Sequence, residues 1–360
     1  MHVPAMRPKT AALARTAAAL LVAAVAVLGS ASPALAAADD DVTWTVRTAA
    51  NSHGSDRSSF SYTVKPGEDI DDAMVVTNRG TDPLDLAVYA ADGFTTSSGQ
   101  LDLLTKDEKS TAIGVWVRAG TDRVAVAPGA SVEVPFTLSI PANATPGDYV
   151  GGVITSLTQA SQSQGINVDR RLGIKIALRI SGELAPALNI ENIQLGYSGT
   201  ANPFGKGAGT VTYTVHNTGN TVLSVQQSVS VSGPFGWLKV DPGAVAAPPD
   251  LLPGESWATT VPVAGVAPAL RWGATVTAVG TYVEASGSKV SLPAVVASQG
   301  GWAVPWAFLV LLVVVAGLVV GAVFFQRRNR RSRKAGEDAR VDKAVKEALE
   351  AKAVSAAERS

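Results

Sequence analysis

Catalysis and metal binding need groups that converge, and this chain offers few of them. It has no Cys and only three His. Two of the His lie in the body of the chain. His53 stands in the loop-like run Asn51-Ser52-His53-Gly54-Ser55-Asp56, and His216 directly precedes Asn217-Thr218-Gly219. By alternation, His216 faces away from Val211, Tyr213 and Val215. Neither completes a Ser-His-Asp arrangement or a two-His metal motif, and no P-loop, dinucleotide fingerprint or zinc motif is present. Glu68, Asp69, Asp71 and Asp72 carry oxygens suited to Ca²⁺. They lack the spacing and the distant Glu of a calcium loop and read as a solvated turn. The expectation is a non-enzyme with no catalytic residues, no metal and no cofactor. Sugar stacking is the remaining chemistry, and Phe94, Trp116, Tyr149 and Trp272 are its candidates. Trp116 and Trp272 also sit in strand-like runs, where a sandwich Trp is ordinarily core. Asn143-Ala144-Thr145 matches a glycosylation sequon.

The elements that must position these residues are strands. Phe60, Tyr62 and Val64 alternate with polar residues, as do Leu84, Leu86 and Val88, and Ile113, Val115 and Val117. The cleanest run is Val132, Val134, Phe136, Leu138 and Ile140, a half-buried strand by its strict period of two. Pro135 lies on its polar face and predicts an edge strand. Pro66-Gly67, Asn78-Arg79-Gly80, Asp92-Gly93 and Pro128-Gly129 mark turns, and 160–165 reads as a hairpin loop. Alternation resumes at Ile174, Ile176, Leu178 and Ile180, and again at Val211, Tyr213 and Val215. Two stretches repeat. Residues 76–86 (VTNRGTDPLDL) match 215–225 (VHNTGNTVLSV), and 128–138 (PGASVEVPFTL) match 253–263 (PGESWATTVPV). The predicted fold is an all-β ectodomain of two tandem immunoglobulin-like β-sandwich domains, 37–182 and 183–300, followed by one transmembrane α-helix and a short cytoplasmic tail.

Residues 302–325 are the predicted membrane span. From Trp306 to Phe325 the chain carries no polar side chain, and twenty helical residues reach about 30 Å, the thickness of a bilayer's hydrocarbon core. Trp302 and Trp306 flank the outer end. Arg327, Arg328, Arg330 and Arg331 flank the other, which places the tail 326–360 in the cytoplasm. Gly317 and Gly321 form a GxxxG pair, a candidate helix-pairing face. The tail reads either as a short helix, with Val341, Val345 and Leu349 in one stripe, or as partly disordered. At the amino end, Arg7, Lys9 and Arg15, the apolar run 17–28 and Ala34-Leu35-Ala36 form a signal peptide over 1–36, with cleavage after Ala36 or, alternatively, Ala38. The chain is therefore expected at the cell membrane, single-pass, with its amino-terminal bulk outside. A Cys-free exported chain has no disulfide framework, so packed cores must stabilise it. Between 37 and 300 there are 16 Lys and Arg against 24 Asp and Glu, about −8 net, which argues against nucleic acid as a partner.

Several stretches resemble the amino-terminal domain of WxL-interacting proteins. They are Pro66-Gly67 with Asn78-Arg79-Gly80, then 91–99, then Pro146-Gly147-Asp148-Tyr149-Val150-Gly151-Gly152-Val153, and finally Arg171-Leu172-Gly173-Ile174 to Ile180. The resemblance covers about residues 41–190 and also the layout of a carboxy-terminal helix with a basic tail. It implies a non-catalytic cell-surface protein whose partner is peptidoglycan or another cell-wall polymer. Residues 190–295 do not match that family's second module. The Ala- and Gly-rich composition suits an actinobacterial member with a divergent second domain. The alternative reading is an adhesin-like or assembly subunit whose second sandwich docks another surface protein.

Overall fold

The structure, a computed structural model, describes residues 43–160 and 167–357. The expected signal peptide and the acidic lead at Asp39–Asp41 lie outside the described residues. Seventeen strands are described, and they enclose two separate cores.

The first core lies between two sheets. One runs in the order β1 (Trp44–Thr48), β3 (Asp69–Asn78), β8 (Ser131–Ser139), β6 (Val117–Ala119). The other runs in the order β2 (Phe60–Val64), β10 (Asn167–Ile180), β9 (Gly147–Ala160), β4 (Leu84–Thr95), β5 (Leu101–Leu103), and β7 (Arg123–Val126) also pairs with β4. The alternating residues meet inside: Phe60, Met74, Leu86, Leu138, Ile176 and Ile180 are all fully buried. One pairing departs from an all-antiparallel sandwich, since β2 runs parallel to β10 with Phe60 opposite Ile176. Strands β9 and β10 pair up to Ala160 and Asn167 on either side of the expected hairpin loop, most of which lies outside the described residues.

The second core repeats the scheme. Strand β12 (Gly207–Asn217) lies between β11 (Leu188–Ser198) and β14 (Ser256–Val266), as β3 lies between β1 and β8. Strand β15 (Leu270–Val283) lies between β13 (Ser224–Ser232) and β17 (Val295–Ala303), as β9 lies between β4 and β10, and β16 (Lys289–Ser291) also pairs with β15. The repeated Asn shows why the sequences match. Asn78 Nδ2 donates to the carbonyls of Asp82 and Val126 at 2.7 and 3.0 Å, and its Oδ1 accepts from the Gly80 N–H. Asn217 does the same with Thr221, Leu251 and Gly219. Each fully buried Asn pins a turn to a neighbouring strand, and buried polar groups must be paired in this way.

Several sequence expectations need correction. Strand β8 is interior, not an edge, because β6 covers its other side. The Pro135 carbonyl accepts from Gly120 N–H at 2.8 Å, just past the end of β6. The N and C=O of one strand residue point the same way, so the missing N–H of Pro135 falls where pairing stops. The run from Ile113 is not a strand: Ile113–Trp116 forms the short helix α1. Asp92-Gly93 is not a turn but lies within β4. Asp69, Asp71 and Asp72 belong to β3, with only Glu68 in the turn before it. At the carboxy end, Trp302 lies in β17, and the second helix, α2, begins at Trp306 and runs unbroken to Ala357. Its first half is apolar, exposed and long enough to cross a membrane. Arg327, Arg328, Arg330 and Arg331 follow on the same helix, and Gly317 and Gly321 are open on its surface.

Candidate functional site

The acidic stretch is drawn into β3 and its hydrogen bonds. Because β3 alternates, Asp71 points out and accepts from Thr137 Oγ1 at 2.6 Å, while Asp72 points in. Arg57 clamps the Asp72 carboxylate through two nitrogens, Nη1 at 2.6 Å and Nη2 at 3.0 Å. Tyr62 Oη donates at 2.5 Å, Asn51 Nδ2 at 2.6 Å and the Ala73 N–H at 2.7 Å. Burial raises the carboxyl pKa, but the hydrogen bonds from Arg57, Tyr62, Ala73 and Asn51 outweigh it and hold Asp72 well below the usual carboxylate range. Burial, then Asp72, pushes the Tyr62 phenol above its ordinary value. Among the described residues, no three His, Cys, Asp or Glu stand together as a metal site. His53 and His216 make separate contacts: His53 bonds the Asp71 carbonyl, and His216 pairs with Glu191 at 3.1 Å.

The four candidate aromatics divide three to one. Trp272 is corrected out of the set: it is 2% exposed and packs as part of the second core. Trp116 and Tyr149 come together against the first core with ring centroids 4.8 Å apart and planes inclined at 61°. Tyr149 Oη is tied to Thr145. Phe94, half-buried near the end of β4, stands at the same end of the sheet. The Trp116–Tyr149 pair is edge-to-face, so the two rings do not form one continuous flat surface.

The run Tyr149-Val150-Gly151-Gly152 has a packing explanation. A Cβ on Gly151 would sit 2.5 Å from Ile113 Cβ, and one on Gly152 would sit 2.6 Å from Leu103 Cδ1. The two glycines point to opposite faces of β9 and admit α1 on one side and β5 on the other. Asp92 then fixes α1, accepting from the N–H groups of Thr111, Ala112 and Gly114 at 2.6 to 2.9 Å.

Beside Tyr149, the two cores are joined by polar contacts that the sequence reading missed. The largely buried Asp148 pairs with Arg179 (2.7 Å, Nη2 to Oδ2) and accepts from the Val222 N–H at 2.9 Å. Arg179 Nη1 continues to the Val283 carbonyl at 2.6 Å. Asn220 Nδ2 donates to Pro146 O, and Glu255 accepts from both the N–H and the hydroxyl of Thr95. Gly147 (φ +140°) lies so close that a Cβ would be 2.4 Å from Asn220 O. A cleft of about 360 Å³ opens here, lined by Asp92, Thr111, Tyr149, Asn220, Leu252 and Pro253. The available signal was positional: Asp148 and Asn220 each directly follow a glycine.

The two repeats differ at one edge. In the first, β8 is flanked by β3 and β6; in the second, its counterpart β14 pairs only with β12 among the described strands. Pro262 stands opposite Thr210 in that ladder.

No family model and no curated protein matches the chain. Among solved structures, the class 5 fimbriae chaperone CfaA is similar at 13% identity, covering 71% of this chain and 99% of its own, with a TM-score of 0.32. The E. coli chaperone DraB is similar at 8% identity, covering 71% and 98%, with a TM-score of 0.31. A structure of Salmonella enterica SafA pilin in complex with the SafB chaperone is similar at 9%, covering 71% and 97%, with a TM-score of 0.30.

Proposed function

We propose that this chain is a non-catalytic, membrane-anchored surface protein whose two cores are tandem sandwich domains, and that its second domain docks a protein partner by accepting a strand along β14. The observation that carries this reading is the unequal repeat: β6 fills one side of β8, and the corresponding side of β14 has no strand. A strand edge with no neighbouring strand is a template for β-augmentation, in which main-chain hydrogen bonds supply affinity; on β14 the pairing falls on Ser256–Thr260, because Pro262 offers no N–H to that side. The helix α2 anchors the chain, with the arginines at 327–331 on the cytoplasmic side. Peptidoglycan contact through the first domain is the second reading. It draws on the resemblance to WxL-interacting proteins and on the cleft beside Tyr149, with Phe94 and Trp116 at the same end of the sheet.

The test uses the full-length protein in its own membrane, with a photo-crosslinking amino acid at Ala258 on the open edge. One crosslinked species that disappears when Thr260→Pro blocks the edge supports docking at β14. A crosslink indifferent to the proline, or none at all, overturns it. Pelleting of the purified protein with insoluble peptidoglycan, abolished by Phe94→Ala or Trp116→Ala, would establish the wall reading instead.

A further inference from the structure

The end of the second core from which α2 departs is unusual in its surface. Strand pairing sets Ser232 opposite Gly273 and Leu270 opposite Ala303, so the ends of β13, β15 and β17 lie level there. The loop after β13 presents Phe235 and Trp237, 93% and 73% exposed, with their rings edge-on to each other. Leu238 in the same loop, Leu270 and Trp302 near the ends of β15 and β17, and Phe204 on the loop before β12 are exposed too. Three of these six carry a further cost. Phe235, Leu238 and Leu270 have φ of +59°, +55° and +66°, a region that bulky side chains rarely occupy. Strained backbone therefore holds apolar side chains out in the open, and strain of this kind persists where function retains it.

We propose that this end of the second domain is seated in the headgroup layer of the bilayer that α2 crosses, with Phe204, Phe235, Trp237, Leu238, Leu270 and Trp302 inserted into it. This inference rests on the membrane-anchoring reading above and adds the lipid as a direct partner of the folded domain. Only Val304 and Pro305 separate β17 from α2, and two residues reach about 7 Å at most. Phe204 already touches the first turn of the helix, its ring centroid 6.0 Å from that of Phe308. If Trp306 marks the interface, the loops level with it meet the interface too. Aromatic residues favour that depth, and here the belt continues from the helix onto the domain. The charges agree. Lys206, Lys239 and Arg271 stand at this end, and the acidic residue beside them, Asp241, is 3.6 Å from Lys239. This is a basic collar on an otherwise acidic exterior, suited to anionic headgroups.

The absence of Cys makes the test direct. Full-length protein carrying Phe235→Cys or Trp237→Cys, labelled with an environment-sensitive fluorophore, is placed in nanodiscs of phosphatidylcholine and phosphatidylglycerol. Val315→Cys in the helix and Ser97→Cys in the first domain are the references. The expected result is that the label at 235 or 237 is quenched by nitroxide lipid and is several-fold less quenched by aqueous iodide than the label at 97. Lipid quenching at 315 but iodide quenching at 235 and 237 overturns the seating and leaves the anchor standing. Shielding of 235 and 237 from both quenchers means that a second copy of the chain covers the patch, which also overturns it. No lipid quenching at 315 would remove the anchor itself.

Discussion

Asp72→Ala tests whether the buried cluster under β3 holds the first core. The side chain of Asp72 is fully buried and that of Arg57 is only 15% exposed. Removing the carboxylate leaves a guanidinium, a phenol and an amide without their shared acceptor. Breaking a buried pair of this kind costs about 3–5 kcal/mol, because the surviving charge is uncompensated. That corresponds to a fall of roughly 150- to 5,000-fold in the folding equilibrium. Hydrogen exchange resolved by peptide is the suitable assay, since the two cores can be read separately in the full-length protein. Amides of β3 and β8 should lose protection by that order, and those of β12 and β14 should not. Asp85→Ala, which breaks the exposed pair with Arg123, should leave both sets unchanged. The double substitution Arg57→Met with Asp72→Leu should recover most of the loss, because well-packed apolar replacements of a buried pair are often neutral. The pH dependence has a definite sign. The folded Asp72 carboxyl titrates below its unfolded value, so its contribution is complete above the unfolded pKa and is lost as pH falls through the folded one. The wild-type first core should therefore persist at mildly acid pH, and the penalty of Asp72→Ala should shrink only under strongly acid conditions. A loss of protection under tenfold at neutral pH, or one shared equally by β12 and β14, would refute this account.

Gly151→Ala places a Cβ 2.5 Å from Ile113 and 2.6 Å from the Ala91 carbonyl; overpacking of this kind costs about 1–3 kcal/mol, and a calorimetric change near zero would show that α1 is not packed as described. Asn78→Ala and Asn217→Ala each strand two buried carbonyls, at about 1–3 kcal/mol apiece, and hydrogen exchange should confine each loss to its own core with additive effects in the double variant. Burial pushes the Tyr213 phenol up to about 12. Because its folded pKa is raised, it favours folding below the unfolded value near 10 and loses that contribution as pH rises through 12; ultraviolet titration should find this tyrosine still protonated at pH 11 while the second core stays folded.

What the sequence made legible followed from strict periodicity and from repeats. The run from Val132 to Ile140, the alternation around Tyr213 and the matched Asn-x-Gly turns all became strands and turns in the expected places, because a half-buried strand cannot change register without turning its apolar set to water. The errors came where a third body decides the outcome. Ile113, Val115 and Val117 alternate like a strand, but Asp92 caps that segment into a helix from a distant strand, and nothing local records this. Pro135 reads as an edge residue until β6, three residues long, is seen to stop just short of it. The acidic run around Asp72 looks solvated because its partner Arg57 lies across a loop. Phe235 and Trp237 did leave a trace, since aromatics set among Pro and Gly mark an exposed loop tip, yet their significance depends on which end of the domain that loop occupies.

The joint and the anchor together limit what can reach β14. Its first residue follows Glu255, which bonds Thr95 of the first core, and its last, Val266, pairs with Gly207 beside the loop that touches α2. The strand therefore runs from the joint towards the helix end, about 37 Å for eleven residues at about 3.4 Å each. If α2 spans the membrane as proposed, the two residues between β17 and α2 leave no tether by which the domain could lift away from it. A strand added along β14 must then approach within roughly that distance of the bilayer, and antiparallel addition would direct its amino end towards the membrane and its carboxy end towards the joint. Such a partner is best supplied by a protein of the same membrane surface. A linker of flexible residues inserted between Ala303 and Trp306 separates docking from placement: it should leave binding of the partner in detergent unchanged and lower the yield of the Ala258 crosslink in intact membranes. Equal loss in both settings would show that the insertion damages the second core, and no loss in either would show that the height of β14 above the bilayer plays no part in docking.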